Sequence, residues 1–436
     1  MKSVNGILLL YNHPLVKNAP TIMDHVNSFN KCSRFRVWKV NTECGFPRML
    51  KELRFKAIVL HYSLFGYRPF LNPQFLNYLE ASKDSHKIAF FQDEYRFCKM
   101  RFGFINRYRL DCVFTLVEPS FFKHTYAKYT NVPKLVHCIP GYVSDSMIDT
   151  AREFSVPVEK RTIDVGYRGR KLEYYMGKGA QEKYEIGVKF KERAAGLGLK
   201  LGIEAEESKR IYGENWFRFM ADCRAVLGVE AGVSLFDAED VVYEGYLRIL
   251  SANPTISFEE TSKKLSFQDW EDRIYYRTIS PRHFEAAAFR VCQILFEGKY
   301  SGIMKPMVHY IPLKKDFSNF DEVIRMFKTP ALRDELTENT YNDLIASRRY
   351  TYENFFQNSF DPVLLEAGLE PEIDSVVADK VTQLLSEGAR YRQFYGTLKS
   401  VRHRQFAGRS SLVSILKPLE QKYSRWREGK IVELIR

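Results

Sequence analysis

The segment Ser280-Pro281-Arg282-His283-Phe284-Glu285-Ala286-Ala287-Ala288-Phe289 carries residue types that could do chemistry together. Ser280 can cap a helix, and Pro281 suits its first turn. Phe284 and the three alanines give that helix an apolar face. Residues 291–296 then read as a buried strand, followed by the loop Glu297-Gly298-Lys299-Tyr300-Ser301-Gly302. Arg282 and His283 sit oddly at the start, because cations are disfavoured at the positive end of a helix unless an anion binds there too. With Glu285 one turn in, this helix start suits a nucleotide diphosphate and a sugar hydroxyl. A surface helix with incidental basic residues is the competing interpretation.

Two series of strand-like runs must position these groups. The first comprises 6–11, 57–62, 87–92, 112–117 and 134–139, each short and apolar with amphipathic stretches between, which argues for a parallel sheet with crossover helices. Residues gathered beyond the carboxyl ends of such strands are His13, His61, Ser63, Asp93, Glu94, Glu118 and Tyr142. Residues 143–161 are charged, lack an apolar run and read as an inter-domain connection. The second series comprises 162–167, 199–203, 225–229, 291–296 and 308–312, with amphipathic helices over 181–197 and 213–223. Residues 234–278 interrupt it and read as an inserted helical piece over the cleft. Helices are expected again at 319–328 and 330–347, and 350–365 could cross back to the first lobe. The expected fold class is therefore α/β, with two Rossmann-like domains facing across a cleft and a C-terminal helical extension. The expected boundaries are 1–150, 160–330, closing helices at 331–366, and a basic extension at 367–436.

Phe284-Glu285-Ala286-Ala287-Ala288, then a strand, then a small-residue loop, resembles the donor-binding segment of GT-B glycosyltransferases. It is similar to retaining members of the glycogen-synthase and bacterial group 1 type. The resemblance implies that Glu285 binds the nucleotide ribose. It also implies contacts to the donor from Arg282, His283, Glu297, Tyr300, Ser301 and Gly302. Many such proteins carry a second glutamate eight residues earlier, facing the donor sugar, where this chain has Arg277. Gly166-Tyr167-Arg168-Gly169-Arg170-Lys171 resembles the place where these enzymes hold the diphosphate, with Arg168 first and Arg170 and Lys171 behind it. Guanidinium groups fork onto phosphate oxygens without losing their proton. Glu230, in the small-residue loop 228–234, could hold donor hydroxyls, the role left vacant by Arg277, and is a candidate catalytic group. His13, after the first strand, is a candidate base for an inverting route. Asp93 and Glu94 are acceptor-side candidates, and as chain neighbours they would point to opposite faces. No metal motif emerges, no cofactor is expected, and the donor nucleotide sugar is a substrate.

Composition narrows the class. At 436 residues and 45% hydrophobic content the chain can fill two domains, and no segment reaches the ~18 apolar residues of a membrane span. The apolar run at the N-terminus is too short for a signal peptide. Seven cysteines without a Cys-x-x-Cys pair read as reduced, buried residues of a cytoplasmic protein. Residues 380–436 hold 13 Lys/Arg against four Glu and no Asp, a net of +9 within a formal +13. With interleaved aromatic residues, this tail suggests an anionic membrane surface as partner, at the inner membrane face, and a saccharide or lipid-linked acceptor. No nucleic-acid-binding signature is present. The leading expectation is a metal-independent, retaining glycosyltransferase of bacterial surface-glycan or glycolipid synthesis. A nucleotide-sugar epimerase on the same scaffold and a non-catalytic polyanion-binding protein are the alternatives.

Overall fold

The computed structural model describes residues 2–13, 20–372 and 374–386. In the first lobe, β1 (Lys2–Tyr11), β2 (Val37–Asn41), β3 (Leu53–Leu60), β4 (His86–Phe90), β5 (Cys112–Thr115) and β6 (Lys134–His137) form one parallel sheet of order β2-β1-β3-β4-β5-β6. Helices α1 (Pro20–Cys32), α2 (Pro73–Ala81), α3 (Cys98–Tyr108) and α4 (Tyr126–Tyr129) make the crossovers. Ile7, Leu8, Leu9 and Leu10 are fully buried, as are Ala57, Ile58, Val59 and Leu60. Continuous apolar runs of this kind are what a parallel sheet covered on both faces requires. The five expected strands are present. β2 is additional: its short run is broken by exposed Lys39, so it carries an edge-strand pattern rather than an apolar block.

The second lobe begins inside the stretch expected to be a plain connection. There α5 (Asp145–Glu153) buries Ala151, and Met147 and Ile148 join the second lobe's apolar cluster. The chain continues through β7 (Ile163–Arg168), α6 (Lys178–Arg193), β8 (Leu201–Glu204), α7 (Glu214–Asp222) and β9 (Cys223–Gly228). The insertion follows, as β10 (Ala231–Leu235), α8 (Val241–Ala252), α9 (Phe258–Lys264) and β11 (Glu271–Thr278). Then come α10 (Pro281–Ala288), β12 (Cys292–Phe296) and β13 (Ile311–Leu313), closing a parallel sheet of order β13-β12-β9-β7-β8.

The insertion is only partly helical. Its two ends pair as antiparallel strands, Gly232 with Arg277 and Val233 with Tyr276. Partners so distant in the chain leave no local periodicity to read. Gly232 has φ +78, and a Cβ there would lie 2.0 Å from the Tyr276 carbonyl oxygen, so glycine is required.

After α11 (Phe320–Lys328) and α12 (Pro330–Tyr341), α13 (Tyr352–Phe355), a wider turn over Phe356–Phe360 and α14 (Asp361–Glu366) run on as a closing helical segment. This segment crosses back to the first lobe, as expected. Phe360 is fully buried edge-on to Phe29 at 5.1 Å and beside Phe90 and Phe114, both at 5.9 Å. Asp361 accepts hydrogen bonds from Ser33 Oγ at 2.7 Å and the Arg34 amide at 3.0 Å. A last helix, α15 (Ser375–Ser386), rests on the first lobe, where Trp38 Nε1–H donates to Thr382 Oγ1 at 3.0 Å. Of the basic extension, residues 387–436 lie outside the described residues. Among the described residues, no helix is long and apolar enough to cross a membrane.

Because the closing segment meets the first lobe through this aromatic cluster, Phe360→Ala should lower stability by about 3–5 kcal/mol. Urea unfolding followed by fluorescence would measure it. A loss below ~1 kcal/mol would show that the aromatic cluster does not anchor the segment.

Candidate functional site

A cavity of about 830 Å³ opens between the lobes. Its floor is Gly166–Arg168 of β7 and Val226–Gly228 of β9, the two strands at which the order of the second sheet reverses. Open α/β sheets place ligands at that reversal, because the connecting chains part there and leave a crevice. The first lobe supplies the opposite wall through Asp93, Tyr95 and Arg96.

The α10 start forms one rim. Ser280 Oγ accepts from the Arg282 amide at 3.3 Å, and His283 Nδ1 accepts from the Ser280 amide at 3.0 Å. The helix is thus capped by its own side chains, so ligand charge must be met by cations rather than by bare helix amides. With Nδ1 an acceptor, the His283 proton sits on Nε2, which faces Gly228: a Cβ at that glycine would lie 3.2 Å from it. Burial, helped by Arg282, lowers the His283 pKa to about 3, so the imidazole is a neutral donor. Arg282 is exposed, lies 5.0 Å over the Trp216 ring and donates to the Arg168 carbonyl at 2.7 Å. Trp216 Nε1–H donates to Glu285 Oε2 at 2.9 Å. One indole therefore holds both a cation and a carboxylate in place. Burial raises the Glu285 pKa, and the indole bond opposes the shift.

Other cations are less free. Arg168 folds back, donating to the carbonyls of Tyr167 and Gly202 and stacking 4.1 Å over Phe219. Lys171 is exposed and lies 5.2 Å over Tyr174. Lys183, on α6, donates to the Gly232 carbonyl, and burial of its ammonium lowers its pKa to about 8, with Asp93 across the cavity opposing the shift.

The carboxylates divide sharply. Asp93 is exposed on the cavity wall, whereas its neighbour Glu94 points into the first lobe, accepting from Thr115 Oγ1, the Leu116 amide and Tyr126 OH. Glu230 lines the cavity but is engaged by Tyr275 OH at 2.9 Å and by the amides of Lys299 and Tyr300 at 3.1 and 2.8 Å. Burial raises its pKa against those bonds. Arg277 does not line the cavity. It is buried between Glu182, at 2.9 Å, and the two oxygens of Asp272, at 2.9 and 3.0 Å.

The structure therefore brings together Asp93, Arg168, Lys171, Glu230, Arg282, His283 and Glu285. Six other expected residues do not line this cavity. His13 follows β1 in the first lobe, its backbone bonded to Asn41 at 3.0 and 2.8 Å, with burial lowering its pKa. Glu94 is in the first lobe's core. Tyr300 is buried with its hydroxyl on the Phe296 carbonyl at 2.6 Å, and Ser301 pairs with Thr278 at 2.7 Å. Glu297 and Gly302 are exposed on the same loop. Residues that sequence reasoning missed are Lys183, Arg96 and the functional side of Trp216. Lys183 and Arg96 resemble ordinary surface cations, and Trp216 reads as part of an apolar helix face. Among the described residues, no group of three or more His, Cys, Asp or Glu could hold a metal ion.

No protein-family model and no curated protein matches the chain. Among solved structures it is similar to TarM, at 11% identity and TM-score 0.39, covering 71% of this chain and 54% of TarM. It is similar to an α-glucosyltransferase in complex with UDP and a mismatched 13-mer DNA, at 10% identity and TM-score 0.48, covering 82% and 99%. It is also similar to sucrose-phosphate synthase from Thermosynechococcus elongatus, at 9% identity and TM-score 0.45, covering 84% and 99%.

Lys183 gives a pH signature. An unfolded lysine holds its proton to 10.5 and the folded one loses it near 8, so the unfolded state binds more protons in that window and stability rises with pH there. Relative to Lys183→Met, the wild-type urea midpoint should increase between about pH 7.5 and 9.5. A difference that stays constant with pH would place the ammonium in water.

Proposed function

We propose that the chain is a GT-B glycosyltransferase that moves a sugar from a nucleotide-diphosphate donor to a hydroxyl acceptor. One observation carries this reading: Arg282, Trp216 and Glu285 form a single array that shares its cavity with Lys183, at the strand-order reversal of the second sheet. The array offers cations for a diphosphate and a carboxylate for ribose hydroxyls. The donor's bond from C1 to the diphosphate oxygen breaks, the acceptor oxygen bonds to C1, and the acceptor proton passes to a diphosphate oxygen. Charge on the leaving diphosphate grows during this step, and cations positioned beforehand stabilise it. Arg282 and Lys183 take that role, so the transfer is read as metal-independent.

The reading is of a retaining enzyme, with the diphosphate oxygen assisting attack on the donor's own face. Glu230 is assigned to holding the loop 297–302, since its oxygens are engaged by Tyr275 and two amides. An inverting route would need a base across the cavity, and Asp93, which lines its first-lobe wall, is the candidate for that role. The anomeric configuration of the product separates the two. An epimerase would make product from the donor alone.

The proposed setting is the cytoplasmic face of a membrane, with a saccharide or lipid-linked acceptor of surface-glycan synthesis. Its support is the net +9 of residues 380–436. Vesicles containing anionic lipid should bind the full chain at low salt and release it at about 0.5 M salt, where charges are screened within a few ångströms. Failure to bind at any salt would remove the membrane from this reading.

A panel of nucleoside diphosphates and nucleotide sugars, read by thermal shift, tests the activity class. One nucleotide family should stabilise the wild type by mass action. Arg282→Ala and Glu285→Ala should each weaken that ligand about 10- to 100-fold, the usual effect of deleting one charged hydrogen-bonding partner. A flat panel with folded protein would overturn the proposal.

A further inference from the structure

Among the described residues, the first lobe reaches the cavity only through Asp93, Tyr95 and Arg96, all within the segment between β4 and α3. This segment is not at ease by itself. Asp93 and Phe97 both have positive φ, 53° and 55°, a region that non-glycine residues enter only when surroundings hold them. The helix that follows lacks a cap of its own. Phe97 occupies the N-cap position of α3 with no side-chain bond, and the first turn contains no acid.

The missing cap comes from the other lobe. Asp240, at the start of α8 in the insertion, is 7% exposed and accepts from the Cys98 amide on Oδ1 and the Lys99 amide on Oδ2, both at 3.0 Å. Its carboxylate meets the α3 N-terminus in the favourable sense of the helix dipole. Neighbouring contacts run the same way across the boundary. The Asp237 amide donates to the Tyr95 carbonyl at 3.3 Å, Arg96 Nη1 donates to Tyr175 OH at 2.8 Å, and Tyr276 OH lies 3.3 Å from Glu94 Oε1. Asp240 itself does not line the cavity.

We infer that Asp240 is a positioning residue: by capping α3 from the opposite lobe it holds Arg96 and Asp93 at the cavity wall, and anion affinity in the cavity depends on it. This rests on the cavity being the diphosphate site proposed above. If removal of a helix cap lowers the population of the positioned segment, apparent affinity falls by the same factor.

Two readouts test the inference on the full chain: amide hydrogen exchange over residues 92–99, and binding of inorganic pyrophosphate. In Asp240→Ala, exchange over 92–99 should accelerate about fivefold or more, with β4 and β5 unchanged, and the pyrophosphate Kd should rise about 5- to 10-fold. Asp240→Asn keeps one acceptor and should fall between the two, which also covers the case in which the alanine variant does not fold. Arg96→Ala and Asp240→Ala should be non-additive, the double variant matching Arg96→Ala, because both losses pass through one side chain. Unchanged exchange, faster exchange with unchanged affinity, or losses that multiply would each overturn the inference. If wild-type protein binds no pyrophosphate, the diphosphate reading fails, and exchange alone decides whether Asp240 holds the segment.

Discussion

The geometry depends on where the insertion buries its apolar face. Val233, Leu235, Phe236, Val242, Tyr246, Phe267 and Tyr276 are packed into the first lobe's core cluster, although the chain that carries them belongs to the second lobe. Each such side chain gains about 1.5–3 kcal/mol on leaving water. Several together outweigh any single polar contact at the boundary. The second lobe is thereby held against the loop after β4, and the cavity acquires a wall from each lobe. Polar groups then refine what apolar burial has brought together: Tyr95 packs 5.8 Å from Tyr276, and Phe97 lies 5.2 Å from Tyr243.

Buried charge in this protein is mostly structural. Arg277, Glu182, Asp272 and Lys315 make one connected network joining β11 to α6, with bonds of 2.9 to 3.0 Å. Such a network adds little net stability, but loss of Arg277 or Glu182, its two buried members, leaves the other's charge uncompensated at a cost of about 3–5 kcal/mol. Glu94 and Glu230 behave similarly, each accepting several hydrogen bonds that tie loops to a core. Groups still able to meet a ligand are those whose partners leave donors or lone pairs over, such as Arg282 and Glu285.

Trp216 has an outsized effect for a residue with no chemistry of its own. Its ring face meets Arg282 and its edge meets Glu285, so a cation and an anion share one support. Aromatic faces attract guanidinium groups while the indole N–H donates at the edge, which allows both contacts at once.

Local signals in the sequence were enough for the two parallel sheets, the Ser280 cap, and the grouping of Arg282, His283 and Glu285. Each depends on residues within one or two turns of one another, or on apolar runs that only a covered parallel strand tolerates. What only the tertiary structure decided lies between distant segments. β10 and β11 pair across the whole insertion, Arg168 turns back onto Phe219, Glu230 is taken up by the loop after β12, and Asp240 caps a helix of the other lobe. A side chain's type states which bonds it can make. Whether those bonds remain open for a ligand depends on which backbone amides, carbonyls and rings the fold brings within about 3 Å, and no local pattern carries that information.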